Sequence, residues 1–371
     1  MEYLTRISSI AATTISLRLR VILCVTTLPL MAAPTAFALV TPDAPRTGLI
    51  NTAGAAFNAA TGKGYVVDSH AGVVHISNDR DGTVRLAKVG ANPTSIAIDT
   101  VNGRVYVVNA GEGTLSVLDG RTDAVLATLK IGAHPYSIAA DSLAGKIYVT
   151  RTYSDRLIII DAATNQVSSI KAGSPDLVAV NEKTHTIYLL SYEMGDLAIV
   201  DGATRKITRT SVGMHAWGMA LNPVTGVLYV SKIGDGAIAV LAPGSTLPTF
   251  IHTGGIPCAI AINSQTDTIY VADYARNTIA VIDAANAKVV ANIPVGNRPQ
   301  AVAVDCDHNR VYIANTLSHN ISVLDGNTNK VISTQPISAA PYALAVDFAR
   351  QKLHVAALGQ PAFTVISEKP E

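Results

Sequence analysis

Charge is scarce in this chain. Only 15% of its 371 residues are Asp, Glu, Lys or Arg, and the formal net charge is +1. Residues 1–38 hold Arg6, Arg18 and Arg20 against Glu2, so the remainder carries about −1. A near-neutral chain has no electrostatic bias toward nucleic acid or an acidic membrane surface. Aromatic residues make up 5%, with a single tryptophan, Trp217. Catalytic signatures are missing too. There is no G-x-S-x-G elbow, no H-E-x-x-H pair and no phosphate-binding loop, so no motif names an enzyme class. The absence of C-x-x-C-H excludes a covalent c-type haem. The sequence calls for no cofactor.

What is plentiful is aliphatic character with punctuation: 49% hydrophobic residues, 27 glycines and 17 prolines. That composition points to many short strands and few helices. Residues 1–38 read differently, as an export signal. Arg18 and Arg20 flank an apolar run at residues 21–31, and Ala36-Phe37-Ala38 fits a small-residue cleavage site. The run is shorter than the ~20 residues a spanning helix needs, although the long region before Arg18 keeps an uncleaved anchor open. Cys24 sits inside the run, not after a small residue at its end, which argues against a lipoprotein. The expectation is an exported protein, periplasmic or extracellular, with a mature chain of residues 39–371.

Aligned on one tyrosine, the mature chain shows eight registers: Tyr65, Tyr106, Tyr148, Tyr188, Tyr229, Tyr270, Tyr312 and, by position, His354. The spacings are 41, 42, 40, 41, 41, 42 and 42 residues. A nearly constant period of this size means a solenoid or a propeller, and the strand content selects the propeller. Seven residues before each anchor stands an Asx: Asn58, Asp99, Asp141, Asn181, Asn222, Asn263, Asp305 or Asp347. Asx side chains bond nearby amides, and the glycines that follow accept positive φ, so each reads as a hairpin turn. Asp119, Asp161, Asp201, Asp283 and Asp325, thirteen residues after their anchors, read as a second set of turn residues. A repeated turn-capper is a far commoner use of such aspartates than catalysis.

Nine residues before the anchor all eight repeats carry alanine: Ala56, Ala97, Ala139, Ala179, Ala220, Ala261, Ala303 and Ala345. Large aliphatics mostly flank them, so one strand face is small and the other bulky. In a ring of radial sheets the innermost strands crowd at the axis, and a small face meeting a bulky one lets adjacent blades interlock. The predicted fold is all-β: a single β-propeller of four-stranded blades, eight by repeat count or seven if a terminal repeat is degenerate. In residues 93–130 the four strands are placed at 94–98, 104–108, 114–118 and 124–129. The last repeat stops after its third strand, near Ser367, and residues 39–50 are expected to supply the missing one.

The segments "RVYVVN", "KIYVTR", "VLYVSK", "TIYVAD" and "RVYIAN", each with "VGxxP"-like text before and "SVLDG"-like text after, resemble the YVTN-repeat β-propellers, the YncE-like exported proteins. The resemblance covers residues from about 50 to 367. It implies the fold and defines no catalytic motif. Among more distant propellers are lactonases, streptogramin lyases, quinoprotein dehydrogenase subunits and interaction modules, so function must be argued from the site. With one tryptophan, the repeated tryptophan docking of the large quinoprotein alcohol dehydrogenases is not present.

The loop entering each blade and the loop leaving each tyrosine strand must share one face of the ring, here called the upper face. Variation in those loops is free of the repeat and is where a site would be written. His134, His215 and Arg298 stand just before the entering proline position, and Tyr136, Asp176, Trp217 and Tyr342 just after it. Arg151, Lys232 and Asp273 leave the tyrosine strands. These ten residues are the candidate ligand-binding set. Tyr136 and Trp217 could stack on a ligand or simply cover the apolar rim. Arg151, Lys232 and Arg298 could hold an anion or be solvated. His134 and His215 lie two blades apart without ligand spacing, and no metal site is expected. Cys258 and Cys306 fall six residues out of register on neighbouring inner strands, about 20 Å at ~3.3 Å per residue, too far for a disulfide.

The expected function is an exported monomeric scaffold whose upper face holds a small ligand, a peptide or a partner protein. The alternative is a metal-assisted lactonase- or lyase-like enzyme in the channel mouth, for which Asp68, Asp176 and Asp273 would have to converge.

Overall fold

Every regular element in residues 54–359 and 363–367, the part that the computed structural model describes, is a β-strand. The expectations for residues 1–38 and 39–50 fall outside that part. The strands form eight antiparallel meanders, seven of four strands and a last one of three. In the second blade the strands are Pro93–Asp99, Arg104–Asn109, Thr114–Asp119 and Val125–Lys130, within a residue of the ranges expected at every end. Each inner strand packs on the inner strand of the next blade, and Ala340–Asp347 of the eighth packs on Ala55–Asn58 of the first. The ring is closed, with eight blades.

The alanine column explains how neighbouring blades approach. All eight alanines are at most 1% exposed. Each pairs directly across its hairpin with the anchor residue, from Ala56 with Tyr65 to Ala345 with His354. Alanine and tyrosine therefore share one face, which meets the bulky face of the following blade. Ala97 and Tyr106 cluster with Ile138, Ile147, Ile158 and Ile160 of blade three, and Ala220 and Tyr229 with Ile260, Ile262 and Ile269 of blade six. A larger residue at the alanine position would overpack the hub, at about 1–3 kcal/mol per site.

The Asx turns form as the sequence implies. Asn58 Oδ1 accepts the amides of Ala60 and Thr61, and Asp99 Oδ1 those of Val101 and Asn102, at 3.0–3.3 Å. Four residues after each Asx the backbone turns left-handed in every repeat. Glycine holds that position at Gly62, Gly103, Gly145 and Gly226; His185, Asp267, Asn309 and Gln351 accept it elsewhere. Both cysteines of the described part are free, and the Cys258 thiol lies 3.3 Å from the Pro299 carbonyl of the next blade.

The departure at His354 marks the seam of the ring. At the first anchor the tyrosine hydroxyl bonds the next blade, Tyr65 Oη donating to the Gly120 carbonyl at 3.2 Å. At the seam His354 is fully buried, with Nδ1 2.9 Å from Ser77 Oγ and Nε2 3.0 Å from Asp79 Oδ2, both in blade one. Its ring stacks on Phe57 at 5.5 Å, and a Cβ on Gly64 would collide with it. Lys352 adds a contact to Asp79 Oδ1 at 3.5 Å. Burial pushes the neighbouring Asp347 carboxyl up, and Asp79 pushes it further. Burial acts the same way on Asp79, but its bond to His354 and the nearby positive charges outweigh it and hold that carboxyl low. The Ser77–His354–Asp79 order is that of a hydrolytic triad, yet Ser77 is 3% exposed and His354 0%, so no substrate reaches the hydroxyl. This is a polar latch.

His354→Ala should therefore cost about 2–4 kcal/mol, because it leaves Ser77 and Asp79 buried without their partner. Tyr65→Phe, which removes one inter-blade hydrogen bond and keeps the ring, should cost about 1 kcal/mol. Urea unfolding of both variants measures the difference, and equal losses would show that the seam is not special.

Candidate functional site

Three sets of side chains crowd the upper face, and the structure gives each a different job. The first set precedes the inner strand. Asn92, His134, His215 and Arg298 all hold left-handed backbone, φ 49–57°, and all are exposed. One backbone bond repeats around the face and pins these turns. The amides of Ala110, Thr152, Ile233 and Thr316 donate to the carbonyls of Asn92, His134, His215 and Arg298 at 2.9–3.1 Å. The side chains thus project from rigid loops even though their positions vary in type.

The second set begins the inner strand. In six blades the ladder shifts register there, and the residues inside the shift are Thr94, Tyr136, Trp217, Cys258, Gln300 and Tyr342. A β-bulge re-aims a side chain that would otherwise alternate into the sheet. Hydroxyls of the preceding blade fix this region. Ser95 Oγ donates to the Tyr136 carbonyl at 2.7 Å, Thr150 Oγ1 to the Asp176 carbonyl at 2.6 Å and Ser231 Oγ to the Cys258 carbonyl at 2.7 Å.

The third set, leaving the tyrosine strands, is largely consumed by structure. Lys232 is 5% exposed, pairs with Asp235 and lies over the Phe250 ring of its own outermost strand. Asp273 spends Oδ1 on the amides of Ile256, Ala275 and Arg276 at 3.0–3.1 Å. Arg151 is half-buried and donates from Nη2 to Ser154 Oγ at 2.8 Å.

Among the ten candidates, the structure draws four together in blades three to five: Tyr136, Asp176, His215 and Trp217. Tyr192 joins them and forms their centre. Its ring meets Trp217 edge-on, 5.4 Å between centroids at 74°, and lies 6.1 Å from His215. Its amide donates to Asp176 Oδ2 at 2.8 Å. Burial pushes the Asp176 carboxyl up, with Glu193 adding to it while the Tyr192 amide pulls it down. Burial, then the charge of Asp176, drives the Tyr136 phenol far above its ordinary range. The remaining candidates sit apart from this corner. His134 packs edge-on against exposed Tyr153 at 6.1 Å, and Arg298 covers Tyr274 at 5.0 Å. Tyr342 is 9% exposed and belongs to the core cluster of the seam. The role of Tyr192 had one weak signal in the sequence, an extra aromatic beyond the strand end in blade four.

Asp68, which also caps a turn, does not meet Asp176 and Asp273 in a ligand set. Among the described residues no group of three or more His, Cys, Asp or Glu side chains is placed to hold a metal ion. No helix among them is long and apolar enough to cross a membrane.

A family model described as YNCE-like beta-propeller matches residues 23–349. The chain belongs to that family. Among solved structures it is similar to "Dihydro-heme d1 dehydrogenase NirN in complex with DHE", with a TM-score of 0.74 and 14% identity over 84% of this chain and 71% of that one. At such identity the likeness speaks for the fold alone. No curated protein matches.

The lower face of this YNCE-like propeller differs in chemistry. Glu182 follows the Asx of blade four and is half-buried beside Asp99 and Asp141. Burial pushes its carboxyl up to about 7, the two aspartates add to this, and hydrogen bonds to Ser142 oppose it. Between blades four and five a cleft of about 290 Å³ opens beside Tyr188, Thr186 and Pro243. Thr186 stands where Lys63 and Arg104 reach across to the next blade, at Asp123 and Asn165, so the cleft is the space those longer side chains fill elsewhere.

Because the folded state keeps the Glu182 proton up to about pH 7 and the unfolded chain releases it near 4.5, this group favours folding below pH 4.5. That contribution is lost as pH rises through 7. Glu182→Gln should match the parent near pH 4 and exceed it by about 2–3 kcal/mol near pH 8. Denaturant unfolding at the two pH values checks this; a constant difference would contradict it.

Proposed function

We propose that this chain is an exported binding scaffold that holds a small ligand, or a small group of a larger partner, at the upper mouth of blades three to five. One observation carries the reading: Trp217 and His215 pack against the Tyr192 ring, whose own amide holds the half-buried Asp176 near Tyr136, on backbone fixed by neighbouring blades. Such a mostly apolar surface with one oriented polar group is the usual make-up of a ligand site. Pre-set backbone reduces the entropy lost on binding. The NirN structure, a propeller of similar fold, is titled as a complex with DHE, which supports a ligand role for a ring of this shape. The metal-assisted alternative has no ligand set among the described residues to support it.

The export part of the reading rests on residues 1–38. N-terminal sequencing of protein secreted by a host cell should begin at Leu39; an intact Met1 in the secreted fraction would overturn cleavage there.

Trp217 is the only tryptophan, so its fluorescence reports on this mouth alone. A thermal-shift screen identifies compounds that raise Tm by mass action. Those compounds should also change Trp217 emission saturably, and Trp217→Ala should weaken them about tenfold, the loss of one aromatic contact. Compounds that stabilise parent and variant equally, with unchanged emission, would place the site elsewhere and end this reading.

A further inference from the structure

Resting on the proposed ligand mouth, the ligand class follows from its shape and charge. Trp217 and Tyr192 meet at 74°, so their planes form the two walls of a corner, and His215 stands tilted at 58° beside Tyr192. The faces of aromatic rings are electron-rich and attract a cation held above them. Asp176 adds a carboxyl group held on the backbone amide of Tyr192, beside this corner. Its Oδ2 is bonded to the Tyr192 amide, while Oδ1 has no hydrogen-bond partner among the described residues.

The charges that act on Asp176, Tyr136 and Tyr192 are of one sign. Asp176 feels Glu193, Tyr136 feels Asp176, and Tyr192 feels Glu193. No lysine or arginine is among them. The basic candidates have partners of their own: Lys232 pairs with Asp235 beside His215, Arg151 with Ser154, and Arg298 lies over Tyr274. An anion entering here would meet a carboxylate and the electron-rich faces of two rings. A primary ammonium would surrender strong hydration that one free carboxylate oxygen only partly replaces. An alkylated ammonium loses little, because its methyl groups already shed water and its charge is spread over them.

We propose that the Trp217–Tyr192–Asp176 corner binds a methylated ammonium group, either as a free quaternary amine or carried on a larger molecule. The carboxylate is held ready for it. The Asp176 amide donates to the Leu190 carbonyl at 2.9 Å and its carbonyl accepts Thr150 Oγ1 at 2.6 Å. Binding requires no rearrangement of either bond.

The test uses the mature chain, choline, and 3,3-dimethyl-1-butanol, in which carbon replaces the charged nitrogen at the same shape. Choline should quench or shift Trp217 emission saturably, and the neutral isostere should bind at least about tenfold more weakly. Asp176→Asn keeps an oxygen for the Tyr192 amide, so its Tm should stay near the parent value. It should lose about tenfold in choline affinity and leave the isostere unaffected. Equal binding of choline and the isostere would overturn the cation assignment while leaving an apolar ligand mouth standing. No response of Trp217 to choline would also overturn it, and the compound screen then decides the mouth separately. Choline binding that Asp176→Asn does not weaken would remove the carboxylate from the site.

Discussion

Crowding at the axis is the constraint from which the rest of this structure follows. Radial sheets converge on a hub, and the strands nearest it have room for one bulky face per interface and no more. Alanine on one face eight times, with mostly isoleucine, valine or leucine on the other, satisfies that limit. The tyrosine opposite each alanine then covers the widening space farther from the hub. Stability is shared among interfaces in the manner of repeat proteins, except that a closed ring also has a last interface that must match the first.

That last interface is chemically different from the others. Where seven repeats place a tyrosine, the eighth places an imidazole between Ser77 and Asp79. A closing contact made of directional bonds and a charge is more demanding of geometry than an apolar one, since a mispaired buried polar group is costly. The seam can therefore fix which blade meets which. The glycine at position 64 shows the same specificity from the other side, because only an absent side chain admits the ring.

Rigid closure also decides what the upper face can do. Hydroxyls on one blade hold the carbonyls at which the next blade begins, so the bulged residues are aimed by their neighbours as well as by their own strand. Aromatic and acidic groups from three blades then meet without any loop having to fold over them. The lower face is built instead from Asx turns that satisfy themselves. Glu182 differs there, a carboxyl beside Asp99 and Asp141 whose charged form the folded state disfavours.

The period, the alanine column and the Asx turns were legible in the sequence because each is a local requirement repeated eight times, and repetition makes a local rule visible. Blade count and strand limits followed from them. The candidate site was legible only as a band of variable positions, and within it sequence could not separate Trp217, which meets Tyr192 of the preceding blade, from Lys232 and Asp273, which serve their own blades. The central place of Tyr192, visible in the sequence only as one more aromatic beyond a strand end, and the meaning of His354 were out of reach for the same reason. Their partners are set by blade-to-blade geometry, across 277 residues in the case of Ser77 and His354, and no local pattern encodes a contact that exists only once the ring has closed.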